Sequence, residues 1–194
     1  WPQATFDLFF AKSPEVCGVE HWTPAEAFGK AYPESDFTED ELTVVSWVLP
    51  QTEKTKASMR ELTHWPSERW CRARVLGEPI NELLREHMVT TLKNAGYEVV
   101  APVLHPDWTR LENPRQVITS RWSERHAAHA AGLGTFGFDD ALITPVGKAH
   151  RLGSIIIRLR SALPPETTDV SRRAGAPSRF GLRIAASCPR PSAR

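Results

Sequence analysis

The 194-residue chain lacks most of the features that would mark a secreted, membrane-spanning or nucleic-acid-binding protein. Its three cysteines, Cys17, Cys71 and Cys188, are odd in number and widely spaced. That argues against a disulfide framework and fits a reducing cytoplasm, which is the expected location. No apolar run reaches the roughly 18 residues needed to cross a bilayer, so no membrane partner is expected. No basic-then-apolar leader opens the chain, and the first residue is Trp1, so the expected start is a clipped one. A formal net charge of +1 gives no electrostatic footing for nucleic acid or an anionic membrane.

Hydrophobic residues make up 41% and charged residues 24%, an ordinary composition for a globular domain with a core. The composition breaks near residue 160. Residues 161–194 carry six arginines, no lysine and two acids, for +4, leaving −3 on residues 1–160. The last 34 residues are also rich in Pro, Ser and Ala and show no apolar periodicity. Two readings stand for 161–194: a disordered basic tail, or the product of a reading-frame shift. Residues 1–160 read as the folded domain.

Within it, 42–49 (LTVVSWVL) reads as a buried strand stopped by Pro50. Residues 67–76 read as a helix, and 79–94 as a second helix with Pro79 in its first turn. In the latter, Ile80, Leu83, Leu84, Met88 and Leu92 form the apolar spacing, and Gly96 lies just past the end. Residues 97–104 read as a strand limited by Pro102 and Pro106. Ser123 is a good N-cap for a helix over 124–131 that Gly132 ends. Residues 141–144 and 151–159 read as a hairpin around Pro145, Gly147 and Lys148. The expected class is α+β.

The most informative segment is 123–137, SERHAAHAAGLGTFG, in which 132–137 spells G-x-G-x-x-G. A dinucleotide site needs a strand before that loop and a helix after it. Here the helix comes first and a strand follows, which removes that reading. The close glycines fit either a tight turn or a loop whose backbone approaches a ligand.

The run ERHAAHAAGLGTFGFDDALITPVGKAHRLGSIII resembles the signature of the corrinoid and iron–sulfur reductase group, which includes epoxyqueuosine reductases and reductive dehalogenases. The Thr135–Phe136 pair is similar to the dehalogenase-like form, and 46–61 and 120–127 resemble ferredoxin-type relatives of those enzymes. The resemblance implies a nitroreductase-like mixed sheet with flanking helices, a cobalamin cofactor, a small-molecule substrate and an external electron donor. It implies that Gly132, Leu133, Gly134, Thr135, Phe136, Gly137, Ile143 and Thr144 help wall the corrinoid pocket. A module with [4Fe–4S] clusters would follow the domain. The chain lacks the C-x-x-C-x-x-C-x-x-x-C-P run that such clusters require, so the expectation is truncation before that module. Ile118 stands where epoxyqueuosine reductases carry a proton-donating aspartate, which points to a different substrate. The alternative is a non-catalytic corrinoid-binding or carrier domain.

Candidate catalytic residues are Arg125, His126 and His129. The histidines lie three apart on one helix face and suit proton delivery better than metal binding; the bland reading is packed or solvated histidines. Arg125 is either part of a helix-surface ion pair with Glu124 or a partner for an anionic substrate or a corrinoid amide. Asp139 and Asp140 read as turn-solvating residues or a catalytic acid. No metal-ligand set is expected. Trp47, Trp65, Trp70, Trp108 and Trp122 fit either a flat-ligand pocket or the core.

Overall fold

The structure, a computed structural model, describes residues 21–62, 64–112, 118–139, 141–160 and 181–186; for 111, 112, 118, 119 and 181–186 this is the backbone. Cys17, Cys188 and Asp140 lie outside the described residues.

In chain order the elements are α1 (Pro24–Ala31), β1 (Leu42–Pro50), α2 (Glu53–Arg60), α3 (Glu68–Asn94), β2 (Val99–Val100), β3 (Arg110–Glu112), β4 (Ile118–Ser120), α4 (Glu124–Ala130), β5 (Thr135–Phe136), β6 (Leu142–Ile143), β7 (His150–Arg158) and β8 (Gly181–Ala186). The class is α+β. The main sheet has the order β2-β7-β1-β8, and β3-β4 and β5-β6 are separate two-stranded ribbons. Every described pairing is antiparallel, so the sheet is not the mixed one expected.

The sheet has two different coats. The long β1–β7 ladder runs from Leu42↔Arg158 to Pro50↔His150, and alternate residues share a face. On one face Leu42, Val44 and Ile156 pack with Phe28 of α1 and Ala127 of α4, while Val48 and Leu152 pack with Ala128, Leu133 and Leu142. On the other, Trp47, Ile155 and Ile157 pack against Leu84, Met88, Val89 and Leu92 of α3. Burial of these side chains stabilises the sheet by about 1.5–3 kcal/mol each.

Local chemistry sets the helix starts. Thr23 and Glu26 form a reciprocal capping box on α1, at 3.0 and 2.7 Å. Ser67 caps α3 through the Trp70 amide, and Ser123 caps α4 through the His126 amide. At the end of α4, Gly132 has φ +74°, and the Leu133 amide reaches back to the Ala128 carbonyl at 2.9 Å.

Several expectations need correction. The two helices expected at 67–76 and 79–94 are one helix that runs through Pro79. Pro79 sits on the exposed side, where water can satisfy the carbonyl its missing N–H would have bonded. The strand expected over 97–104 is only Val99–Val100, because Pro102 opens a 3₁₀ turn, Pro102–Leu104. The hairpin expected between 141–144 and 151–159 does not form. Strand β7 pairs with β1 and β2, and β6 folds back on β5. A nine-residue ladder to an apolar strand outcompetes pairing with a two-residue neighbour. Within 161–194, read as either a disordered tail or a frame-shift product, Gly181–Ala186 pairs with β1 as strand β8.

Candidate functional site

The glycine loop is folded into its own hairpin. The pairs Thr135↔Ile143 and Phe136↔Leu142 turn Thr135 and Ile143 to one face and Phe136 and Leu142 to the other. The inner face belongs to the core: Leu142 is 1% exposed, and Leu133, Ala128 and Ala131 surround it, with Phe136 against them. The outer face is exposed, with Ile143 at 45% and the neighbouring Phe138 fully open to solvent.

The glycines are explained by these close approaches. A Cβ on Gly134 would sit 2.4 Å from the Ile143 carbonyl oxygen, so no larger residue allows β5 and β6 to meet there. The amides of Gly132, Leu133 and Gly137 donate to the carbonyls of His129, Ala128 and Ala141. These three N–H groups are therefore spent on the chain itself rather than aimed at a ligand. Thr144, 5% exposed, also acts internally: its hydroxyl donates to the Gly147 carbonyl at 2.8 Å and closes the 144–147 turn. Of the residues expected to wall a cofactor pocket, Thr135 and Ile143 face outward, whereas Leu133, Phe136 and Thr144 face in.

His126 and His129 are brought together on the inner side of the hairpin. Their rings contact Phe136 with centroids 4.7 and 5.3 Å away. The His129 Nδ1–H donates to the Gly134 carbonyl at 2.8 Å, and His126 Nδ1 pairs with the Ser123 hydroxyl at 2.7 Å. The two histidines thus tie helix to loop. Arg125 is half-buried one position away. Asp139 is exposed and salt-bridged to Lys148 at 2.5 Å, which holds its carboxyl below the usual range. Trp47 and Trp122 are core residues, and Trp65 is 80% exposed, so the tryptophans do not form one pocket.

The residue that sequence reasoning undervalued is Glu124. Its side chain is 16% exposed and lies in a polar cluster where α3 and α4 meet β7. Glu124 Oε2 accepts from the Ser154 hydroxyl, which in turn accepts from the Trp122 indole N–H at 3.0 Å. Glu124 Oε1 lies 3.3 Å from the Nε of Arg85, a guanidinium only 1% exposed. Arg85 donates from Nη1 to Glu78 at 3.1 Å and from Nη2 to the Leu152 carbonyl at 3.1 Å. Asn81 takes the same carbonyl at 2.8 Å and accepts from the Trp47 indole at 3.0 Å. Glu78 also receives Arg151 at 2.7 Å.

The sheet edge explains this arrangement. Strand β2 pairs only with Ile156 and Ile157, so Leu152 lies beyond the end of that ladder. Asn81 and Arg85, one helical turn apart on α3, fill that gap. Burial of Glu124 outweighs the pull of Arg85 and of the Ser154 hydrogen bond and pushes its pKa up to about 7. Burial also pushes the His150 ring pKa down, and the neutral ring donates from Nε2 to the Leu142 carbonyl at 2.9 Å.

A shallow cleft near Trp70, Arg74, Lys148 and Arg151 is basic in composition. Two of its cations are already neutralised, Lys148 by Asp139 and Arg151 by Glu78. Among the described residues, no group of three or more His, Cys, Asp or Glu side chains is arranged to hold a metal ion, and no helix is long and apolar enough to cross a membrane.

The outer face of the β5–β6 hairpin is the part of the loop left open to a ligand, and it is a flat surface rather than a pocket. Exposed Ile143 and Phe138 lie beside exposed Thr135 on a ribbon that Gly134 keeps tightly paired. No family model, curated protein or solved structure matches the chain.

Proposed function

We propose that this chain is a domain of a cobalamin-dependent reductase, nearer the reductive dehalogenases than the epoxyqueuosine reductases, with the outer face of the β5–β6 hairpin as one wall of the corrinoid site. The observation that carries this reading is the hairpin register, which turns Thr135 and Ile143 outward together beside exposed Phe138. Such a face, apolar with one hydroxyl, has the character of a wall for a flat ligand. The nitroreductase-like architecture and a cytoplasmic setting belong to the same proposal.

When bound, the cofactor would supply low-potential electrons to a halogenated or epoxide-bearing small molecule. The chain's own part is to hold and shield. Ile143 and Phe138 cover the ligand and exclude water, and Thr135 offers a hydroxyl to a peripheral amide. His126 and His129, expected as proton carriers, lie on the inner side, where they brace Phe136 from behind and hold the loop rather than face the outer wall. Arg125 is the candidate partner for an anionic group. Electrons come from an external donor, because Cys17, Cys71 and Cys188 lack the spacing that holds a cluster. That same cysteine spacing favours the second reading, a non-catalytic corrinoid carrier.

Titration of the full chain with hydroxocobalamin, followed by absorption, tests both readings. The expected result is a saturable spectral change, with Phe138→Ala and Ile143→Ser each weakening binding about tenfold through lost apolar contact. A spectrum unchanged by the protein overturns both. Turnover of a halogenated aromatic with reduced viologen then separates reductase from carrier.

A further inference from the structure

Helix α3 is inverted at its centre. The residues it buries are Asn81 at 0% and Arg85 at 1% exposure, while Val75, Leu76, Ile80 and Leu83 stand 59–69% exposed. Leu76, Ile80 and Leu83 follow the i, i+4, i+7 spacing of a packing seam. They lie on the side of the helix opposite Arg85. Scattered exposed apolar residues need no explanation, but a continuous stripe along one helix does.

The charges beside the stripe say what fits it. Arg69 and Arg72 flank its N-terminal end, where Arg72 also pairs with exposed Glu68 at 2.5 Å, and Glu82 and Glu86 flank its C-terminal end. A parallel copy of the helix would set Arg72 against Arg72 and Glu86 against Glu86. An antiparallel copy sets Leu76 against Leu83 and Arg72 beside Glu86, twice over, with a two-fold axis near Ile80. We propose that the chain forms an antiparallel homodimer through α3, with Leu76, Ile80 and Leu83 as its seam and Arg72–Glu86 pairs at its rim. The helix has 27 residues and spans about 40 Å, long enough for both rims to engage. The proposal does not depend on the corrinoid reading, because this stripe and the β5–β6 hairpin are separate surfaces.

Sedimentation velocity on the full chain over a range of concentrations tests the proposal. The expected mass is twice the 21.7 kDa of one chain. The Leu76→Glu/Ile80→Glu double variant weakens the dimer at least about 100-fold. Glu86→Arg weakens it about tenfold, and adding Arg72→Glu restores it. Orientation is read by cross-linking. With Cys17, Cys71 and Cys188 replaced by serine, Ile80→Cys is captured by a short bifunctional thiol reagent. Wild-type Cys71, about 25 Å from its copy in the antiparallel arrangement, is not. A monomer at every concentration overturns the proposal, as does a dimer indifferent to the double substitution or one that cross-links through Cys71 instead of Ile80. Leu76, Ile80, Arg72, Glu86 and Cys71 are exposed, and far-UV circular dichroism confirms that each variant is folded before its mass is read.

Discussion

The two helices that flank β7 use opposite solutions to the same problem. Helix α4 has seven residues, and those it buries are alanines: Ala127, Ala128 and Ala130. Small side chains let it lie close to the sheet, and its ends do the work, a serine cap at one and a glycine turn at the other. Helix α3 is nearly four times as long, and at its centre it buries an asparagine and an arginine. The first is held by packing and displays a hairpin. The second is held in part by hydrogen bonds to a sheet edge and shows its apolar side to solvent. A buried polar face on a helix thus marks a second demand on that helix, either a gap in the sheet or a partner outside it.

This contrast is broken most strongly by Arg85→Ala, which leaves Glu78 and Glu124 facing each other without their shared cation. The expected loss is about 3–5 kcal/mol in urea unfolding at pH 8. It is smaller at pH 5, where Glu124 takes up a proton.

Glu124→Gln sharpens the comparison through pH. The folded-state pKa of Glu124 is about 7 against an ordinary 4.5, so the native state binds the extra proton between those values. Its contribution to stability is therefore fully present below pH 4.5, and is lost as pH rises through about 7. The unfolding free energy across that window falls with rising pH by about 3 kcal/mol in the native chain, and this part of the slope disappears in the Gln variant.

Gly153→Ala tests the α3 side of the sheet from below. Its Cβ would sit 2.3 Å from the Trp47 indole that covers it, and the expected cost is about 2 kcal/mol. Trp47→Leu in the same chain recovers part of that loss, because the clash and its cause are removed together. On the α4 side, Ser123→Ala removes the cap and costs about 1 kcal/mol in thermal unfolding. The smallest effect is that of Ile80→Ser on the stability of the dilute chain, within about 0.5 kcal/mol, because that side chain is exposed in one copy.

How much of this was legible in the sequence follows the same division. Strand β1, helix α4, its Ser123 cap and its Gly132 stop carry local signals, a short β-branched run or a cap next to its helix, and they were read correctly. The sequence divides α3 at Pro79, because a proline reads as a break until it is known to lie on the water side. Its apolar spacing was also pooled: Leu84, Met88 and Leu92 face the sheet, whereas Ile80 and Leu83 face out. Asn81 and Arg85 share the phase of the inward set, and that polar pair at i, i+4 was the available clue. Glu124 read as a surface ion pair with its neighbour because its true partner, Arg85, lies 39 positions away in the chain. The glycine loop was legible as a turn at Gly132, but its closure on Leu142–Ile143 was not, because two-residue strands carry no periodicity.

Hydrogen–deuterium exchange across the whole chain, with and without cobalamin, tests the division of labour most directly. The account expects cobalamin to raise protection over 132–147 and to leave 75–83 unchanged, while dilution lowers protection over 75–83 and leaves 132–147 unchanged. Protection at 132–147 that is indifferent to cobalamin would contradict the assignment of the hairpin to the cofactor.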